Sequence, residues 1–349
     1  MSDNLPGREL WIDAVRGLAI CVMAPANMAP MLIEPHPWVF RFIWSMAAPT
    51  FVIIAGMMVA LTASRNSLGH YILHGMVLVL CGALVDIVAY RFLPFTTCDV
   101  LYLIGISLPF VYLANRLSWK WIAGISVVIF SLTPALQQWL GYTRMPPIYG
   151  LSGHMITDRD LVTTGILNHY VVDGYFPIFP WTGLMLLGTL LQRLHWGEAA
   201  SAERWKNQQA LPTAVALVVV GGIVWRIWPG RLLERAGYAE MFYNPTIGFI
   251  LTAVGCFLIV YRVAFYSQFS HFWSPLRVLG ESSLFMYMFH LVVIGEVFEN
   301  WYPDPIGPWQ FGLMWPLLLV AMVLLGCALR HVKARCKEMP YVLRFVLGA

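Results

Sequence analysis

Arg16 and Asn27 lie eleven residues apart in the first strongly apolar stretch of the chain, which runs from Asp13 through Gly17, Cys21 and Pro25. Eleven steps at 3.6 residues per turn bring a helix back almost to its starting azimuth, about 16 Å further along its axis. A fixed cation and a carboxamide therefore stack on one stripe, where one long substrate could touch both. Nine residues beyond Asn27 stands His36, in Glu34-Pro35-His36-Pro37-Trp38. The prolines are predicted to break the helix and leave the imidazole on a short re-entrant or surface turn. Arginine, asparagine and histidine in this order point to chemistry at a membrane.

Other polar groups need an explanation because an ionisable side chain in hydrocarbon costs at least about 2.5 kcal/mol unless it is paired or hydrated. Asp13, one turn before Arg16, offers an ion pair near an interface. Arg16 can equally meet an anionic group entering from the cytoplasm, and the two readings are compatible. Asp86 and Glu281 are expected to face the interior of a helix bundle. Nine residues separate Glu281 from His290, two and a half turns on one helix, so these two are expected not to pair. Taken alone, His290 reads more readily as a histidine bonding a neighbouring helix than as a catalytic one. Glu296 and Glu299, beside Asn300, read as a solvated face at the outer interface. Residues 173–183 carry Tyr175, Phe176, Pro177, Phe179, Pro180 and Trp181. Interfacial anchoring explains such a run, with both prolines in a first helical turn. Its functional reading is a rigid aromatic mouth to an outward cavity, with His169, Asp173 and Trp181 beside it.

The elements that must hold these residues follow from composition. Of 349 residues, 59% are hydrophobic and only 11% charged, and mean hydropathy is +0.68. Soluble domains carry about 25% charged residues, and the apolar runs here recur near the roughly 20 residues that cross a bilayer. The fold class is all-α, a polytopic membrane bundle of about ten helices, drawn at 11–32, 38–62, 70–90, 98–115, 119–138, 175–193, 211–228, 244–263, 276–298 and 310–331. With the N-terminus inside, Arg91, Arg144, Arg159, Arg226, Arg231 and Arg235 fall outside, Arg16 and Arg41 within spans, and the remaining fourteen of 22 Lys and Arg in the cytoplasm. That bias puts both termini in the cytoplasm and accounts for the net charge of +4 without nucleic acid. The six cysteines, Cys336 in the tail among them, show no ligand-like spacing and read as small buried hydrophobes. No metal site, no internal repeat and no removable signal peptide are expected, and residues 1–349 read as one domain.

Arg16-Gly17-Leu18-Ala19 with Asn27 resembles the opening of the heparan-alpha-glucosaminide N-acetyltransferase family and its bacterial relatives, a branch of the transmembrane acyltransferase superfamily. The likeness continues in Pro49 to Gly56, Asp99 to Gly105, Tyr175 to Gly183, Gly280 to His290 and Glu296 to Asn300. The resemblance implies an integral membrane acyltransferase that takes an acetyl group from cytoplasmic acetyl-CoA and passes it to an extracytoplasmic sugar or glycan amine or hydroxyl, in a bacterial inner membrane. It implies an essential asparagine and histidine after the first span. Asn27 matches the asparagine, and His36, followed by Trp38, is the nearest match for the histidine.

In the mechanism this implies, His36 is the base, Asn27 donates to the oxyanion or substrate carbonyl, and Arg16 binds a CoA phosphate. Asp86, His169, Asp173, Trp181, Glu281 and His290 are the candidate substrate contacts. A small-molecule donor, a carbohydrate acceptor and the lipid bilayer are the expected partners, and a homodimer is compatible with them. The rival reading is a proton-coupled solute transporter or flippase relaying through Asp86, Glu281 and His290, and a third is a structural subunit. Acyl transfer requires Arg16 and Asn27 to open onto one shared tunnel, with an imidazole at its far mouth.

Overall fold

A computed structural model describes residues 9–142, 148–157, 164–197, 199–229, 241, 245–335 and 339–348. Arg8, Arg144, Arg159, Arg231, Arg235, Cys336 and Lys337 lie outside them. The principal helices are α1 (Leu10–Met28), α2 (Trp38–Trp44), α3 (Ala47–Thr62), α4 (Leu68–Val88), α5 (Val100–Ala114), α6 (Trp119–Leu140), α7 (Ile178–His195), α8 (Ala210–Ile227), α9 (Ile247–Tyr266), α10 (Ser274–Glu281), α11 (Ser283–Val293), α12 (Pro308–Arg335) and α13 (Tyr341–Leu347). Among the described residues, seven helical segments are long and apolar enough to cross a membrane, nine if each of two bent pairs is one span. The segment expected at 98–115 is α5, apolar but only 15 residues long. The all-helical bundle predicted from composition is what the chain adopts.

Helix α1 sits at the centre, with Trp11, Ala14, Val15, Ile20, Ala24 and Met28 fully buried. Its neighbours come close enough for backbone to meet backbone. A Cβ on Gly17 would stand 1.8 Å from the carbonyl oxygen of Leu276 on α10, and one on Gly280 would stand 1.8 Å from that of Asp13. The α3–α7 pair closes in the same way, through Gly56 against Met185 and Gly188 against Ile53. Lipid tails are as apolar as the side chains, so tight packing through small residues is what drives such helices together. Inside α1, Pro25 has no N–H for the carbonyl of Cys21 four residues back. The indole Nε1 of Trp315, on α12, donates to that oxygen instead at 3.3 Å. By contrast, α6, α8 and α12 are mostly exposed apolar surface, as lipid-facing helices are.

Two expectations are corrected. The segment drawn as one helix over 276–298 is an elbow, with His271–Glu281 and Ser283–Trp301 bent by 80°. Ser282 is the turning point (φ −121°, ψ 38°), and α12 holds it from outside. There Arg330 clamps both Glu281 oxygens at 2.6 and 2.7 Å, and Lys333 Nζ donates to Ser282 Oγ at 2.8 Å. Glu281 therefore ends α10 rather than opening the ninth span. The two prolines near 180 do not share a first helical turn either. Pro177 precedes α7, and Phe179 between them is extended at φ −97°, ψ 119°, since a residue before proline is pushed out of the helical region.

At 1.5 Å per residue α5 rises about 22 Å, less than the ~30 Å hydrocarbon core. Non-helical chain at such depth is tolerated where it lines a cavity. The segment 89–99, leading into α5, does so.

Candidate functional site

A cavity of about 820 Å³ lies between α1, α3, α5 and α11. Arg16, Glu281 and Phe345 line one end, Asp99, bonded to Tyr287, lies level with Asn27 in the middle, and Arg91 and Asn300 line the other end. Because α1 is helical from Leu10 to Met28, the Arg16 to Asn27 spacing holds at about 16 Å, and both side chains open onto the same passage.

Asn27 reaches it on the last turn of α1, beside Pro25. Its Nδ2 lies 2.9 Å from Nε2 of His290, a histidine with no exposed surface. The other ring nitrogen, Nδ1, is 3.0 Å from the carbonyl oxygen of Met286. A carbonyl only accepts, so Nδ1 carries the hydrogen and Nε2 presents a lone pair toward the Asn27 amide. The backbone after His290 is a π-helical turn, Ile294–Phe298, a distortion often found at functional sites. Ile294 and Gly295 of that turn line the passage.

At the Arg16 end, the guanidinium stands 3.9 Å from Asp13 Oδ1, its side chain 26% exposed. Glu281, also on the wall, is neutralised by Arg330 of α12. The final turn of the described chain covers this end. Phe345, Val346 and Gly348 line it, Tyr341 bonds His74 at 2.5 Å, and Gly348 takes the left-handed conformation (φ 70°) against the Glu281 carbonyl.

The rest of the wall is acidic and aromatic. Tyr287, one turn before His290 on α11, donates to Asp99 Oδ2 at 2.5 Å, and Tyr90, Tyr175, Asp99 and Glu299 all line the wall. Arg91 is engaged by both oxygens of Glu296 at 3.0 and 3.2 Å. Glu299 is exposed and reaches the cavity wall, and Glu296 forms an exposed ion pair with Arg91.

Of the sequence-predicted residues, Arg16, Asn27 and Glu281 line the passage, and His290 touches it through Asn27. His36 is set back at the outer end. Its Nε2 bonds the Leu32 carbonyl at 3.1 Å, and its ring meets edge-on the ring of Trp44, which does line the cavity. Asp86 is fully buried behind the wall, accepting from Thr97 Oγ1 at 2.8 Å and Tyr102 OH at 2.6 Å. His169 and Asp173 pair at 2.7 Å with no exposure. They brace the turn that, through Phe176 N donating to the Cys98 carbonyl, holds Tyr175 and Phe176 on the wall. Trp181 packs in the core against Phe176, ring centroids 5.0 Å apart. Asp99 and Tyr287 were missed as site residues. The available signal was a carboxylate immediately before an apolar run.

A family model described as "Heparan-alpha-glucosaminide N-acetyltransferase, catalytic" matches residues 8–228, more than half of the chain. No curated protein matches. The matched stretch contains Arg16, Asn27, His36 and Asp99, and it stops before the α11 wall that supplies Tyr287 and His290.

Proposed function

Because the chain belongs to the heparan-alpha-glucosaminide N-acetyltransferase catalytic family, we propose that the passage moves an acetyl group from acetyl-CoA, entering at Arg16, to a carbohydrate amine or hydroxyl arriving from the Arg91 and Asn300 end. The observation that carries this is the Asn27–His290 pair, held at 2.9 Å about 16 Å along α1 from Arg16.

The acceptor nitrogen or oxygen attacks the thioester carbonyl carbon as the Asn27 amide turns from Nε2 of His290 toward the carbonyl oxygen, and the acceptor's proton passes to the nitrogen so freed. The Asn27 amide N–H stabilises the oxyanion that forms. When the C–S bond breaks, His290 returns the proton to the sulfur, leaving CoA thiol and an acetylated acceptor. Arg16 suits a phosphate of the donor, because a guanidinium pairs bidentately with such groups. Pantetheine is long enough to bridge the 16 Å or so of helix between Arg16 and Asn27. The donor side is the cytoplasm in this reading, and the membrane a bacterial inner membrane.

A second reading keeps His36 as the base. Its ring rests on Trp44, so a turn of that indole would admit it to the passage. His290→Ala and His36→Ala separate the two. With labelled acetyl-CoA and purified protein, His290→Ala should lower transfer by about 10²–10⁴-fold while CoA binding and elution volume stay unchanged. A loss confined to His36→Ala would assign the base to His36 instead.

A further inference from the structure

We propose that Asp99 and Tyr287 form the acceptor-binding wall of the passage beside Asn27 and His290, with the Asp99 carboxylate holding a protonated amine; this rests on the acetyl-transfer reading above. Two carboxylates lie close together near the start of α5, and the structure treats them differently. Asp86 is sealed behind the wall by Thr97 and Tyr102. Asp99 opens onto the cavity, with Tyr287 donating to its Oδ2. A carboxylate kept at membrane depth and turned toward a cavity is a functional hypothesis by default, with a cation as its natural partner. Arg91, which lines the outer end, is already held by Glu296, and Glu299 adds a second carboxylate to the wall.

Position relative to the reacting groups supplies the rest. Tyr287 and His290 are one turn apart on α11, their rings 5.5 Å between centroids, and His290 bonds Asn27. A continuous line of side chains thus runs Asp99, Tyr287, His290, Asn27. An ammonium on Asp99 gives one proton to the carboxylate and becomes the neutral amine, whose lone pair attacks the thioester carbon. The second proton goes to His290 and then to the departing sulfur. Net, one ammonium and one acetyl thioester become one amide, one thiol and one proton, the last left on Asp99.

The test uses the full-length purified protein, labelled acetyl-CoA as donor and glucosamine as the probe acceptor. Asp99→Asn should raise the KM for glucosamine about tenfold or more, the scale of one charge-assisted hydrogen bond, and leave the KM for acetyl-CoA within about twofold. Tyr287→Phe should raise the glucosamine KM less, and Asp99→Glu should recover part of the loss. An unchanged glucosamine KM in both Asp99→Asn and Tyr287→Phe overturns the proposal. If Asp99→Asn fails to fold, Tyr287→Phe decides alone: an acceptor-selective rise supports the assignment, and equal effects on donor and acceptor refute it. Wild-type protein that neither binds acetyl-CoA nor acetylates glucosamine overturns the transfer reading itself, and this one with it.

Discussion

Asn27 is the residue on which the chemistry turns, since it is the group that faces the passage and also touches an imidazole. Replacing it with alanine removes one donor to a developing oxyanion, a loss of about 10²–10³ in kcat. The variant should keep CoA binding, because Arg16 sits three turns away; an equal fall in both would make Asn27 a packing residue. The Arg16 and Asn27 relation was legible in the sequence because helical periodicity alone fixes it. His290 was not legible as a partner, since 263 residues separate it from Asn27 and only tertiary packing joins them. Asp99 hid for a related reason. Its distinguishing feature is that it opens on a cavity, while Asp86, thirteen residues earlier, does not.

Helix contacts set how rigidly that chemistry is held. Gly17→Val places side-chain carbons against the backbone of α10, and overpacking of this kind costs about 1–3 kcal/mol. The melting temperature of the purified protein in detergent should fall; no change would mean that α1 and α10 stand further apart than described. Trp315→Phe should lower it by a similar amount, since it orphans one carbonyl beside Pro25 at about 1–3 kcal/mol. At the Arg16 end, α13 covers the passage, so a chain ending before Tyr341 should label faster with a thiol reagent at Ser283→Cys than the full chain does. Equal labelling rates would show that α13 is no cover. The apolar helical segments could be read from composition because each must satisfy its backbone within the bilayer. The elbow at Ser282 was less plain: Gly280-Glu281-Ser282-Ser283 interrupts the apolar run there, but the contacts of Arg330 and Lys333 that hold the bend come from another helix.

Over the whole molecule, the passage carries Arg16 at one end and the Asp99 carboxylate level with Asn27, charges suited to an anionic donor and a cationic acceptor. In the proposed reading the Arg16 end faces the cytoplasm. A transporter would instead carry its solute through the same space without any bond changing. The decisive measurement reconstitutes the protein in sealed vesicles, with acetyl-labelled CoA on the Arg16 side and glucosamine on the other. The account predicts labelled N-acetylglucosamine on the far side, lost in Asn27→Ala. Label that stays on CoA while glucosamine crosses unmodified, or transfer undiminished in Asn27→Ala, would contradict it.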